Sequence, residues 1–155
     1  MRALVPSETA LVLGGGGAKG AYEVGAIAAL DELGIKAGSV FGTSVGALHA
    51  AMYAQGSMDA AAALWDNVVS EESLAIADDA ENIFDHPEKL LEFITRYAQK
   101  KGVDVSPLMD ILHKLIDEDK IRRSSVHLGI VTTRFPSLAM VEKRLEEMET
   151  GSLID

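Results

Sequence analysis

Leu11-Val12-Leu13-Gly14-Gly15-Gly16-Gly17-Ala18-Lys19-Gly20, followed downstream by Val40-Phe41-Gly42-Thr43-Ser44-Val45-Gly46-Ala47, decides how this chain folds. Each piece reads as a short apolar strand, a glycine turn and a helix, the alternation that builds an α/β sheet. The first turn presents bare backbone N–H groups to a negative charge. The second seats one serine, Ser44, on a strand-to-helix bend and aims the Val45 N–H at the same point. Together they have the make-up of an oxyanion hole and a nucleophile.

Working outward, Thr9–Leu13 is predicted as a buried parallel strand. A helix follows from about Lys19, with Tyr22, Val24, Ile27, Ala28, Leu30 and Leu33 as its apolar face and Gly34 as its stop. Val40-Phe41 is a second, very short strand. The helix from Val45 to about Gln55 is nearly all small or apolar, so it is buried on most sides. Gly56 ends it, and Ser57 caps a helix that packs through Ala61, Leu64, Trp65 and Val68. Residues 70–86 read as an acidic loop. Pro87 and the Ser106-Pro107 pair each open a further helix, so that 70–118 forms a helical insertion or cap. Asp119–Ser125 is a polar turn or short helix, Val126–Thr133 a core strand and Leu138–Val141 a shorter one. Leu145–Thr150 is a helical turn or a loop. Residues 1–8 read as a weakly held lead-in, and the last five as the start of another element. No internal repeat is visible.

The chain has 155 residues, 48% of them hydrophobic and 25% charged, which fits a single globular domain. Its 24 Asp and Glu outnumber 14 Lys and Arg, for a formal net charge of -10. Phosphate backbones want a basic surface, so generic nucleic-acid binding is not expected. The chain has no Cys, which excludes disulfides, thiolate metal sites and a cysteine nucleophile. No secretory leader and no membrane-spanning run is legible. The expectation is a soluble cytoplasmic protein without cofactor or metal.

Gly15-x-Gly17-x-x-Gly20 also has dinucleotide-binding spacing. That site wants an acid at the end of the next strand, where this chain has Gly42-Thr43. A phosphate P-loop needs Ser or Thr after Gly-Lys, whereas Lys19 follows Ala18 and precedes Gly20. The oxyanion reading remains, with Lys19 reinforcing the field or holding the loop. Against it stands a glycine turn that serves strand–helix packing alone. For Ser44 the plainer reading is a serine that caps its helix. A nucleophilic serine also needs a base. Of the four His, His49 lies on the Ser44 helix and is expected to rotate away from it. His86 sits in the acidic loop, and His113 and His127 read as surface or packing residues. None carries a triad signature.

These residues resemble the patatin-like phospholipase family. Gly15-Gly16-Gly17-Ala18-Lys19-Gly20 is similar to that family's oxyanion signature, and Gly42-Thr43-Ser44-Val45-Gly46 to its nucleophile elbow. The helix ending in Leu33-Gly34-Ile35 and the late strand Gly129-Ile130-Val131-Thr132-Thr133 fit as well, so the resemblance covers essentially the whole chain. It implies a three-layer α/β/α fold around a mostly parallel sheet. It also implies hydrolysis of a phospholipid or neutral-lipid ester through an acyl-enzyme, with a Ser-Asp dyad in place of a triad and with transient contact at a membrane surface. By carry-over Ser44 is the nucleophile, and the amides around Gly15, Gly16, Gly17 and Val45 are the oxyanion donors. The family's dyad Asp stands before Gly, and no Asp of this chain does. The chain therefore resembles the N-terminal part of the domain. It is expected to be a weak hydrolase alone and to leave a sheet edge or face open to self-association. The alternatives are a catalytically incomplete binding or assembly module and, further off, a nucleotide-binding domain.

Overall fold

The computed structural model describes residues 9–16, 19–68, 112–134 and 136–154. Among them one sheet has the order β1 (Ala10–Leu13), β2 (Ser39–Thr43), β3 (His127–Arg134), β4 (Ala139–Arg144). β1 pairs with β2 and β2 with β3 in parallel, while β4 returns antiparallel to β3. Parallel neighbours require a crossover, and α1 (Gly20–Glu32) supplies the one between β1 and β2. α2 (Val45–Gln55) and α3 (Met58–Val68) follow β2, α4 (Glu118–Arg122) precedes β3, and a 3-10 turn, Leu145–Glu147, follows β4. The mostly parallel α/β sheet is the one the sequence predicts.

The register puts Leu11, Val40 and Leu128 in one row and Leu13, Gly42 and Ile130 in another on the same face. α2 lies on that face. Its Ala50 and Met52 are fully buried, with Ala51 and Ala54 close behind. Small side chains let the helix come down onto the sheet, and burying Met52 alone contributes about 1.5–3 kcal/mol. Val24 and Ile27 of α1, Ala61 of α3, Ile121 of α4 and Leu145 complete a single core with Leu13, Val40 and Leu128.

Both helix stops follow the predicted glycine chemistry. Gly34 and Gly56 have φ of 71° and 73°. At the first, the Gly34 N–H donates to Asp31 O and the Ile35 N–H to Leu30 O. At the second, the Gly56 N–H donates to Tyr53 O and the Ser57 N–H to Met52 O. This double closure satisfies carbonyls that the helix itself leaves open.

Several expectations are corrected. The buried stripe of α1 is only Gly20, Val24 and Ile27, at i, i+4 and i+7. Tyr22 and Leu33 are 82% and 73% exposed, because at ~100° per residue both project about 200° or more around the helix from Gly20. β1 is not buried on both faces among the described residues: Val12 is 80% exposed. β2 runs from Ser39 to Thr43, longer than Val40-Phe41. Leu138 is a turn residue at φ 53°, and β4 continues to Arg144. Ser57 meets α3 through its backbone carbonyl, which accepts from Ala60 and Ala61; its hydroxyl bonds Met52 O and Gln55. Of the helices expected from Pro87 and from Ser106-Pro107 to about residue 118, the part up to residue 111 lies outside the described residues, as does the acidic loop at 70–86; residues 112–115 are helical.

The last stretch is tied to α4. The Arg122 guanidinium donates to the carbonyls of Leu145, Met148 and Glu149 and to the Glu118 carboxylate. Glu118 in turn accepts from the Gly151 and Leu153 N–H groups.

Candidate active site

The bend between β2 and α2 is one residue long. Ser44 is exposed and has φ 53°, ψ −128°, a conformation costly for any residue with a Cβ. Its surroundings impose it. A Cβ on Gly42 would collide with the Gly46 carbonyl, and one on Gly46 would lie 2.5 Å from both the Leu13 and Gly14 carbonyl oxygens. Strand, helix start and glycine loop are therefore in backbone contact. The Ala47 N–H already donates to Ser44 O at 2.9 Å, so the helix begins at once. The N–H of Val45, the first helical residue, has no partner within the helix by position and sits at the positive end of its dipole.

The glycine loop lies across this bend. A Cβ on Gly15 would sit 3.2 Å from Ser44 Cβ and 3.7 Å from Thr43 O. The two stretches that open the sequence thus meet at one point, at the carboxyl ends of β1 and β2, where α/β sheets place ligands. Gly16 is covered by Lys19 instead: a Cβ there would lie 3.2 Å from Lys19 Cβ and 3.6 Å from its Cδ. The Lys19 N–H also donates to Gly16 O at 3.0 Å. Lys19 therefore folds back over the loop, with its side chain exposed. Gly17 lies outside the described residues.

The histidines are placed elsewhere. His49 turns away from Ser44, as its position predicts, into full burial between Glu23 and Trp65. Sequence reasoning gave it no role; the available signal was an imidazole inside an alanine-rich helix, which demands buried partners. His113 is exposed. So is His127, which pairs with Glu146 at 2.8 Å. That hydrogen bond from His127 holds the Glu146 carboxyl below the usual carboxylate range. His86 lies outside the described residues. A groove of about 1070 Å³ runs past Gly38, Ser39 and His127 at the other ends of the strands and does not include Ser44. Among the described residues no group of three His, Cys, Asp or Glu could hold a metal, and no helix is long and apolar enough to cross a membrane.

A sequence profile described as Patatin-like phospholipase matches residues 11–153. The chain belongs to the patatin-like phospholipase family. This patatin-like chain is similar to Lysophospholipase nte1 of Aspergillus terreus, 50% identical over 54 residues, which is 35% of the chain and 4% of that protein. It is 46% identical over 54 residues, again 35% and 4%, to human Patatin-like phospholipase domain-containing protein 6. To Patatin-like phospholipase domain-containing protein ZK370.4 of Caenorhabditis elegans it is 45% identical over 73 residues, 44% of the chain and 5% of that protein. The matched segments are thus a small part of much longer relatives. No solved structure gives a significant match.

Proposed function

We propose that this patatin-like chain carries the nucleophile and oxyanion side of a serine lipid acyl hydrolase, a phospholipase or esterase. The contact of Gly15 with the strained Ser44 bend carries this reading. In it, Ser44 Oγ attacks the carbonyl carbon of a lipid ester and its proton passes to an aspartate. The N–H groups of Gly15, Gly16, Gly17 and Val45 receive the developing oxyanion. The carbonyl then re-forms, the alcohol leaves with the proton, and water hydrolyses the acyl-serine by the same route in reverse. The resemblance implies that the aspartate stands before a glycine, and so lies outside these 155 residues. The substrate is a lipid ester met at a membrane surface, and the exposed Val12 of β1, an end strand of the sheet among the described residues, supports self-association of the chain.

Labelling with a fluorophosphonate tests the assignment. Ser44 is expected to take the label slowly in this chain and not at all in Ser44→Ala. A longer version that includes an Asp-Gly strand is expected to react and turn over faster by roughly 10⁴. Label on another residue, or full ester turnover by residues 1–155 alone, overturns the reading. The second reading, an incomplete domain that binds or assembles without catalysis, is favoured by the missing Asp-Gly pair. It is supported if the longer version is equally inert.

A further inference from the structure

The buried His49 ring is bonded at both nitrogens. Nδ1 lies 2.9 Å from Glu23 Oε2, and Nε2 lies 3.0 Å from Trp65 Nε1. An indole N–H can only donate, so Nε2 is the acceptor. The ring is therefore neutral, with its proton on Nδ1 and donated to Glu23. Trp65 also meets the imidazole edge-on, with ring centroids 5.9 Å apart. Glu23 belongs to the first turn of α1, His49 to α2 and Trp65 to α3. Three helices thus converge on one imidazole.

What this ring touches connects it to Ser44. Gly20 closes the glycine loop and opens α1. A Cβ on it would lie 2.7 Å from Trp65 Cζ2, 2.8 Å from His49 Cε1 and 2.8 Å from Val45 Cγ2. Gly20 is seated in a socket made by the network on one side and by the residue after Ser44 on the other. The loop itself leaves from the same place, through Lys19 and Gly16.

We propose that the Glu23–His49–Trp65 network positions the glycine loop against Ser44. His49 is then a positioning residue: it acts through Gly20 and Val45 and never meets the substrate. The idea rests on the proposed function of Ser44. It differs from a purely structural role, in which loss of the bonds lowers stability and leaves the reactivity of the folded protein unchanged.

The test compares His49→Phe, which keeps a ring and loses both bonds, with His49→Gln, which can donate to Glu23 and accept from Trp65. The readouts are the limiting rate of Ser44 phosphonylation by a fluorophosphonate, the half-saturating probe concentration, and Tm. Trp65 is the single tryptophan of the chain, so its emission reports whether its indole N–H is bonded. All rates are taken well below each variant's Tm. His49→Phe is expected to lower the limiting rate by about 10- to 100-fold, the penalty of a small misplacement, with little change in half-saturation. His49→Gln is expected to return it to within about threefold of wild type. A folded His49→Phe that reacts at the wild-type rate overturns the proposal. So does a Gln variant that restores Trp65 emission without restoring the rate. If His49→Phe does not fold, Trp65→Phe decides: a slower limiting rate supports the network, and an unchanged one overturns it. A wild-type chain that takes no label at Ser44 overturns the underlying reading and this inference with it, whereas label insensitive to these variants overturns the inference alone.

Discussion

Ser44 is held where glycine would sit more comfortably. A non-glycine residue at φ 53°, ψ −128° costs about 1–3 kcal/mol, recoverable only by removing the Cβ. Ser44→Gly is therefore expected to raise Tm, whereas Ser44→Ala, with the same backbone demand, is not. Both are expected to lose fluorophosphonate label. Thermal melts of the three proteins check the order, and an equal or lower Tm for the glycine variant argues against stored strain. Gly46→Ala drives a methyl to 2.5 Å from two carbonyl oxygens and is expected to cost about 3 kcal/mol or more by denaturant titration. These residues were legible in the sequence because a bend this tight admits so few residue types. His49 was not. Its partners come from two other helices, and one-dimensional spacing carries no record of which helices meet.

Among the elements, α2 and the strand after it were read correctly, and β2 in place though not in length, since a run of small apolar residues has one stable place in an α/β fold. α1 was read less well. Tyr22 and Leu33 are apolar by type but lie off the Gly20–Val24–Ile27 stripe, and composition does not say how wide a stripe its neighbours will cover. The stop of α2 gives a direct check: Gly56→Ala forces a Cβ into φ 73° and is expected to cost about 1 kcal/mol. A melt unchanged within error would remove the cap from the account.

α4 supplies a pH dependence. Burial pushes the Glu118 carboxyl up. The Gly151 N–H, the Arg122 guanidinium and the Leu153 N–H together outweigh it, leaving the group below the usual carboxylate range. A carboxyl depressed in the folded state stabilises that state above its unfolded value of about 4.3 and loses this contribution as pH falls through the folded value. Hydrogen-exchange protection across 145–153, taken relative to the intrinsic rate at each pH, is expected to fall as pH drops below that unfolded value. Glu118→Gln is expected to show low protection at neutral pH and little further change with acid. If acid leaves the wild-type segment protected, the tether is not electrostatic.

At the scale of the whole molecule, β3 pairs with β2 as far as Thr43↔Val131 and then continues to Arg134 beside β4. The hairpin thus extends past the level at which Ser44 leaves the sheet, with Met140 80% exposed. Val12, Phe41 and Gly129 share a register row on the face opposite α2, and a Cβ on Gly129 would collide with the Phe41 ring. The exposed face of β1 at Val12, on an end strand among the described residues, predicts concentration-dependent sedimentation of the chain, weakened in Val12→Lys. A monomer at all concentrations would sink the self-association. The mostly parallel character of the sheet was expected from the alternation of strand and helix, whereas its strand order was not read from the sequence. The second helical layer of the expected fold was read from resemblance, and the segment from 69 to 111 lies outside the described residues.

The steric role of Gly42 and Gly46 bears on how such a chain changes over generations. Both are demanded by the packing of β2 on α2 and of α2 on β1, whatever Ser44 does. A lineage released from selection for hydrolysis can exchange the serine, and relaxes strain by exchanging it for glycine, yet it cannot give up the flanking glycines and keep the fold. In descendants of this fold the two glycines therefore outlast the chemistry. A serine retained at φ 53° between them is the stronger mark of continued use.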